Sequence, residues 1–96
     1  MLGAIAGDII GSVHEWTRTK TKDFPLFVPE TTFTDDSVLT VAVAEWILTG
    51  QDLVDLFHAC VHAYPGRGYG AMFHHWARGR AREPYNSFGN GAAMRV

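Results

Sequence analysis

The apolar run 38–48 constrains the fold more than any other part of the sequence. Its residues are apolar nearly all the way round a helix, which is typical of a helix that is buried on most sides. Thr34, Asp35 and Asp36 stand directly in front of it. Thr is an acceptable N-cap, and negative charge is favoured in a first turn. We therefore predict a central buried helix over residues 34–49.

The rest of the chain also indicates helices. Apolar spacing and breaker residues predict helices over 2–13, 53–64 and 68–82, and the start of another at 92–96. The segment 17–33 contains two prolines and reads as a long loop, which in a small domain is often functional or a lid. No period-two strand pattern is present. The prediction is an all-α helical bundle in one domain, residues 1–96.

Composition excludes several classes of protein. Hydrophobic residues make up 47% and charged residues 19% of the chain, which is typical of a globular protein. A net charge of −2 gives no case for nucleic acid, and we expect the cluster Arg78, Arg80 and Arg82 to be a solvated helix end or loop. No apolar run reaches the ~20 residues of a membrane span, and no signal peptide is recognisable, so we expect a cytoplasmic protein without membrane partners. The single cysteine, Cys60, cannot form an internal disulfide and is expected to be a small core residue.

Glycines recur every fourth residue in the first predicted helix, at Gly3, Gly7 and Gly11. Glycine is unfavourable inside a helix. We expect close backbone packing or a tight site on the smooth face that these glycines create.

Asp35 and Asp36 admit two interpretations. Helix capping explains Thr34 and one aspartate without any ligand. Two carboxylates beside a Thr hydroxyl are also the oxygen donors that Mg²⁺ and Mn²⁺ prefer. The pattern alone leaves capping and metal binding both open.

Two further motifs carry similar alternatives. Glu15 follows an apolar helix and precedes Trp16, so it is either a solvated residue or an acid/base group whose pKa is raised by desolvation. The loop Ser87-Phe88-Gly89-Asn90-Gly91 precedes a helix, and its backbone N–H groups could cradle phosphate. Gly-rich helix entrances are also common where no phosphate binds.

Histidines offer a competing hypothesis. His58 and His62 lie four residues apart, as zinc ligands on a helix do. The glutamate of the HExxH pattern is absent, however, which favours partly exposed surface histidines over a zinc hydrolase.

Taken together and in order, these motifs resemble the ADP-ribosylglycohydrolase family. The matching pieces are the segment 3–11 followed by Glu15, then Phe33-Thr34-Asp35-Asp36-Ser37, then the segment 87–95. The resemblance spans nearly the whole chain but only the N-terminal part of a typical family member. It implies an all-α fold, incomplete in this chain.

The resemblance also implies a function. Family members are hydrolases that remove ADP-ribose from a protein side chain or a related acceptor, with a dinuclear Mg²⁺ or Mn²⁺ site. Thr34, Asp35 and Asp36 would be metal ligands, and Glu15 the acidic residue near the scissile bond. Ser87, Phe88, Gly89, Asn90 and Gly91 would line the diphosphate and ribose side of the pocket. Asp8 would be structural, tying the end of the first helix to a neighbouring loop.

One part of the family pattern is missing. The family completes its metal site with a second Asp-x-Asp-Ser/Thr type motif, and none follows Asp36, since Asp52 and Asp55 belong to an ordinary capped helix. We therefore expect weak or no turnover from these 96 residues. The central helix should also expose apolar surface, so the alternative is a non-catalytic helical module that forms homo-oligomers through that face.

Overall fold

The computed structural model describes residues 1–95, and this part of the chain is all-helical, without a strand. The all-α prediction is confirmed. Five α-helices and one 3₁₀ helix follow in the order α1 (Leu2–Gly11), the 3₁₀ helix (Ser12–His14), α2 (Asp35–Thr49), α3 (Leu53–Ala63), α4 (Ala71–Arg78) and α5 (Gly91–Met94). In residues 1–95, no helix has the length and apolar character needed to cross a membrane.

Helix α2 is central, but only its N-terminal half is buried. Its buried apolar residues contact α1 on one side and α3 on the other, and together with residues of α3 and α4 they form the core: Val38, Leu39, Ala42, Val43, Leu56, Trp76 and Ala77. The last turns differ, since Ile47 is 69% and Leu48 84% exposed. The prediction of a helix buried along its whole length is therefore wrong, because no described element covers these turns, whereas the expected exposed apolar surface is present.

Two helices differ in extent from the predictions for reasons of backbone geometry. The first helix tightens into 3₁₀ geometry after Gly11 instead of continuing as an α-helix to Val13. The fourth helix covers 71–78, not 68–82, because Gly68 has a φ of 90° and Arg80 a φ of 50°. Neither value is compatible with a right-handed helix. Helix α5 begins at Gly91, one residue before the prediction, and Val96 lies outside the described residues.

The glycine face of α1 does not pack against another backbone. A Cβ atom placed on Gly3, Gly7 or Gly11 would meet nothing within 4 Å. Close packing is therefore not what these glycines provide. Gly7 and Gly11 instead line a cavity beside α2.

An aromatic cluster joins α3 to α4. The Phe73 ring lies 5.6 Å from that of Trp76 and 6.0 Å from that of Phe57, and the His58 ring stacks on Trp76 at 4.6 Å. The cluster fixes where the chain runs after α4.

Cys60, also on α3, is half-buried and not a full core residue, and burial raises the pKa of its thiol.

Candidate active site

Asp8 fixes the junction between α1 and the start of α2. Its carboxylate accepts hydrogen bonds from the backbone N–H groups of Thr34 and Ser37 at 2.8 and 3.2 Å. It also accepts from the hydroxyl groups of both residues at 2.5 Å. Thr34 and Ser37 are buried, so Asp8 supplies the partners that these polar groups need.

These hydrogen bonds determine the charge state of Asp8. Burial raises the pKa of its carboxyl, but the bonds from Ser37 and Thr34 outweigh burial and hold the pKa below its ordinary value. Asp8 is therefore a fixed negative charge at the positive end of the α2 dipole. The predicted structural tie exists, although its partner is the first turn of α2 rather than a loop.

A second contact holds the other side of the α2 entrance. The Asp35 N–H donates to the Arg67 carbonyl oxygen at 2.8 Å. The Arg67 guanidinium lies 3.8 Å from the Phe33 ring centroid and donates to the Thr32 hydroxyl at 3.0 Å. Thr32 in turn donates its N–H to the Ser12 hydroxyl at 3.1 Å. The start of α2 is thus held from both sides.

A cavity of about 620 Å³ opens between α1, α2 and α5. Its polar lining includes three carboxylates and one guanidinium, from Asp8, Glu15, Asp36 and Arg95. Its volume lies in the range of small-molecule sites. We call it the acidic cavity. It brings together residues that lie far apart in the sequence, as a binding site requires.

Asp36 is paired across the acidic cavity. The Arg95 guanidinium lies 2.9 Å from the Asp36 carboxylate, and the Arg95 side chain is only 10% exposed. The Arg95 Nε is buried without a hydrogen-bond partner among the described residues. Gly91 makes room for this side chain, because a Cβ there would lie only 2.0 Å from its guanidinium.

Asp35 lies on the other side of the helix entrance. A Cβ on Gly68 would be 3.8 Å from its carboxylate. Burial raises the pKa of Asp35 to about 6, with further contributions from the charges of Asp36 and Glu15 and an opposing one from Arg95. A half-buried carboxylate beside like charges is one that a cation would stabilise in its ionised form.

The predicted phosphate loop stands apart from this cavity. Residues 87–90 are exposed, and the Phe88 side chain is 96% exposed. Within the loop, Ser87 accepts a hydrogen bond from the Gly89 N–H at 3.0 Å. The loop leads into α5, whose end brings Met94 and Arg95 to the cavity wall.

Comparison with known proteins gives the family. The sequence profile of the ADP-ribosylglycohydrolase family matches residues 1–96. The chain belongs to this family. It is also 31% identical over 126 aligned residues to ADP-ribosylhydrolase ARH3 of Xenopus tropicalis, an alignment that covers 100% of this chain and 36% of that protein. The chain thus spans about a third of the length of this curated relative, consistent with an N-terminal portion. No solved structure matches the chain significantly.

In this ADP-ribosylglycohydrolase chain, the donor atoms at the α2 entrance suit a hard cation, but their number is small. Carboxylate and hydroxyl oxygens are the ligands of Mg²⁺ and Mn²⁺. The Thr34 hydroxyl already donates to Asp8 and accepts from the Asp36 N–H at 3.2 Å. Among residues 1–95, no group of three His, Cys, Asp or Glu side chains is placed to hold a metal ion.

The contacts of His58 favour a structural role over the zinc binding considered for His58 and His62. The His58 Nε2 donates to the Ala81 carbonyl oxygen at 2.9 Å, and its ring is stacked on Trp76. This histidine has a structural role between α3 and the segment after α4. Asp52 and Asp55 behave as the sequence predicts: Asp52 caps α3 by accepting from the Asp55 N–H at 3.0 Å.

Sequence reasoning missed two residues of the candidate site, Arg95 and Arg67. Arg95 ends the matching segment 87–95, but nothing in its neighbours shows that it would reach Asp36, 59 positions earlier. Arg67 lies in the Gly-rich turn between α3 and α4, where a cation carries no obvious signal. Both act through contacts made only in the folded chain.

Proposed function

We propose that this chain forms the substrate-facing half of an ADP-ribosylglycohydrolase site, acting on an ADP-ribosylated protein or an ADP-ribose-containing small molecule. The observation that carries the proposal is the acidic cavity, in which Glu15 and Asp36 face a space of about 620 Å³. The cavity is large enough to admit a substantial part of a nucleotide sugar. The family match supports the class of reaction.

Hydrolysis of this kind breaks the bond between the ribose C1 atom and an acceptor nitrogen or oxygen. Water supplies the new C–O bond, and the acceptor leaves with a proton. Glu15 is exposed on the cavity wall, where its carboxylate would either transfer a proton or stabilise positive charge on the ribose. Asp8 would hold the α2 entrance in position beneath it.

Thr34, Asp35 and Asp36 would hold Mg²⁺ or Mn²⁺ through oxygen atoms. Such a cation, when bound, supplies binding of ribose hydroxyls and polarisation of water. The raised pKa of Asp35 supports this assignment, since a cation would relieve the repulsion between the neighbouring carboxylates. Further ligands would have to come from outside the described residues, and a dinuclear site would need several.

Calorimetric titration of ADP-ribose into the chain, with Mg²⁺ and with EDTA, tests the proposal. We expect a Mg²⁺-dependent component of binding that is lost in Asp36→Asn but kept in the matched control Asp23→Asn, an exposed carboxylate outside the acidic cavity. Absence of a Mg²⁺-dependent component, or an equal one in Asp36→Asn, would overturn the proposal.

Turnover is a separate measurement. We expect little or no release of ADP-ribose from a modified peptide by the 96-residue chain. Release in Mg²⁺ at a rate abolished by Glu15→Ala or Asp35→Ala would show that the chain holds a whole active site, not half of one.

The exposed end of α2 favours a second candidate function, a non-catalytic module that pairs with a second copy of itself. Trp46, Ile47 and Leu48 expose apolar side chains on its last turns. Sedimentation should then show a dimer that Ile47→Glu converts to a monomer with unchanged helical content. A wild-type chain that stays monomeric at high concentration would exclude this function.

A further inference from the structure

A second cavity, of about 680 Å³, lies between α3, α4 and the segment that follows α4. Its lining is rich in basic side chains: Arg78, Arg80, Arg82, His58, His62 and His74. Asp55 is the carboxylate among its lining residues. We call it the basic cavity. None of the residues that line it belongs to the acidic cavity.

The positive charge of the basic cavity is only partly neutralised. Arg82 is 2.9 Å from the Asp52 carboxylate and 2.5 Å from that of Asp55, so its guanidinium is already paired. Arg78 and Arg80 have no carboxylate partner within ion-pairing distance among residues 1–95. Two guanidinium groups therefore remain available for a ligand.

The wall that carries these arginines is held firmly. The His58 ring is stacked on Trp76 and donates to the Ala81 carbonyl oxygen at 2.9 Å. The Trp76 indole N–H donates to the Glu83 carbonyl oxygen at 2.9 Å. These contacts fix the backbone at Ala81 and Glu83, directly after Arg80 and on both sides of Arg82, which reduces the ordering cost of binding.

Arg80 occupies a backbone position that normally belongs to glycine. The Arg80 N–H donates to the Ala77 carbonyl and the Ala81 N–H to the Trp76 carbonyl, each at 3.1 Å, which is the Schellman ending of a helix. Its left-handed residue is usually glycine, but here it is Arg80, with a φ of 50°, although Gly79 is adjacent. Strained non-glycine residues cluster at functional sites.

We propose that the basic cavity binds a small anion that carries a pyrophosphate group. The cavity is lined by two unpaired guanidinium groups, those of Arg78 and Arg80, and guanidinium forks bind phosphate oxygens in pairs of hydrogen bonds, so two linked phosphates suit this lining. His62 and His74, which also line the cavity, add ring N–H donors. The volume suits a small molecule. This site does not depend on the proposed hydrolase function.

Calorimetric titration of inorganic pyrophosphate into the 96-residue chain, in metal-free buffer with EDTA, tests this site. We expect one pyrophosphate per chain. Arg80→Gly and Arg78→Ala should each weaken binding about tenfold or more, as loss of a charge-assisted hydrogen bond does. Arg18→Ala, which removes an exposed arginine far from the basic cavity in the sequence, should leave it unchanged.

Three outcomes with inorganic anions would overturn the proposal. They are no binding to the wild-type chain, equal binding by Arg80→Gly, and equally tight binding of sulfate, which would indicate charge attraction alone. A polyglutamate peptide that binds about tenfold more tightly than pyrophosphate would overturn it in favour of an acidic protein segment. Unchanged circular dichroism of Arg80→Gly separates lost binding from lost folding. ADP-ribose itself carries a pyrophosphate group, so ADP-ribose binding in EDTA that Arg80→Gly weakens belongs to the basic cavity. The Mg²⁺-dependent part of ADP-ribose binding, which Asp36→Asn should remove, belongs to the acidic cavity, so the two proposals can fail separately.

Discussion

The acidic and basic cavities are similar in volume, about 620 and 680 Å³, but opposite in charge. The carboxylates Asp35 and Asp36 stand in the first turn of α2, whereas Arg78 and Arg80 stand at the end of α4. Each sign lies where the helix dipole favours it. The preference of helix N-termini for negative charge and of C-termini for positive charge can therefore place opposite charges in separate sites of one small domain.

The two cavities are also built differently. Polar contacts hold the acidic cavity, where one carboxylate, Asp8, satisfies four donors of Thr34 and Ser37. Aromatic stacking holds the basic cavity, through His58 and Trp76. A polar junction concentrates its stability in one residue, while stacking spreads it over several. The following predictions test that contrast, in order of expected effect.

Asp8→Ala should be the most damaging single change at the acidic cavity. It leaves buried donors of Thr34 and Ser37 without partners, which should lower the free energy of unfolding by about 3 kcal/mol. For a chain of this length, the thermal midpoint should fall by about 10 °C or more. Thermal denaturation followed by circular dichroism measures this, with the exposed Asp23→Ala as the matched control. A midpoint for Asp8→Ala equal to that of the control would refute the concentrated-stability view.

Asp35→Asn should alter the pH dependence of stability in metal-free buffer. The folded pKa of about 6 lies above the ordinary value of 3.8, so the folded state binds the proton more tightly than the unfolded state. Wild-type stability from this group is therefore present at pH 4 and lost as the pH rises toward and through 6. The asparagine variant should match wild type near pH 4 and become about 1 kcal/mol more stable by pH 7, a value limited by solvent screening of the half-buried group.

Urea unfolding at several pH values measures this difference directly. Asp8 has a lowered pKa, so it contributes stability that is lost as the pH falls, the opposite of Asp35. This contribution is the same in wild type and in Asp35→Asn. Subtracting the two curves therefore isolates Asp35. A difference that stays constant between pH 4 and 7 would show that Asp35 does not titrate as described.

Arg80→Gly should have the smallest effect on stability, and in the stabilising direction. Glycine adopts the left-handed conformation of residue 80 without strain, so the free energy of unfolding should rise by about 0.5 kcal/mol. Arg78→Gly, at the last residue of α4, should instead lower it by up to about 1 kcal/mol. Opposite changes in the free energy of unfolding for the two variants, measured by urea unfolding, would support the inference that Arg80 serves through its charge and not through stability. Equal destabilisation by both substitutions would contradict that inference.

The helical content was largely predictable from sequence, and the helix ends less so. The long apolar run in α2 and its Thr34 cap lie close together in the sequence, so their pattern indicates the element directly. The end of α4 was not predictable from composition, because Gly79 has an ordinary φ of −75° and Arg80, the next residue, adopts the left-handed conformation. Local composition points to the wrong residue there, since packing of the following segment on Trp76 determines the geometry.

The candidate site divides in the same way. Thr34, Asp35, Asp36 and Glu15 were named from sequence because their chemistry is visible in short motifs. Arg95 and Arg67 were not, because their roles depend on contacts across the fold, such as the 2.9 Å pair between Arg95 and Asp36. The loop 87–91 remains a prediction, since its residues up to 90 are exposed and stand apart from the acidic cavity.

The sequence by itself determined the helical class, the family and the placement of carboxylates at one helix entrance and arginines at another helix end. These depend on periodicity, capping and helix dipoles, which act over a few neighbouring residues. Tertiary structure alone decided that Asp8 secures the α2 entrance, that Arg95 pairs with Asp36, and that Arg78 and Arg80 share a cavity wall. Those features arise from contacts between residues far apart in the chain, which only packing of the helices brings together.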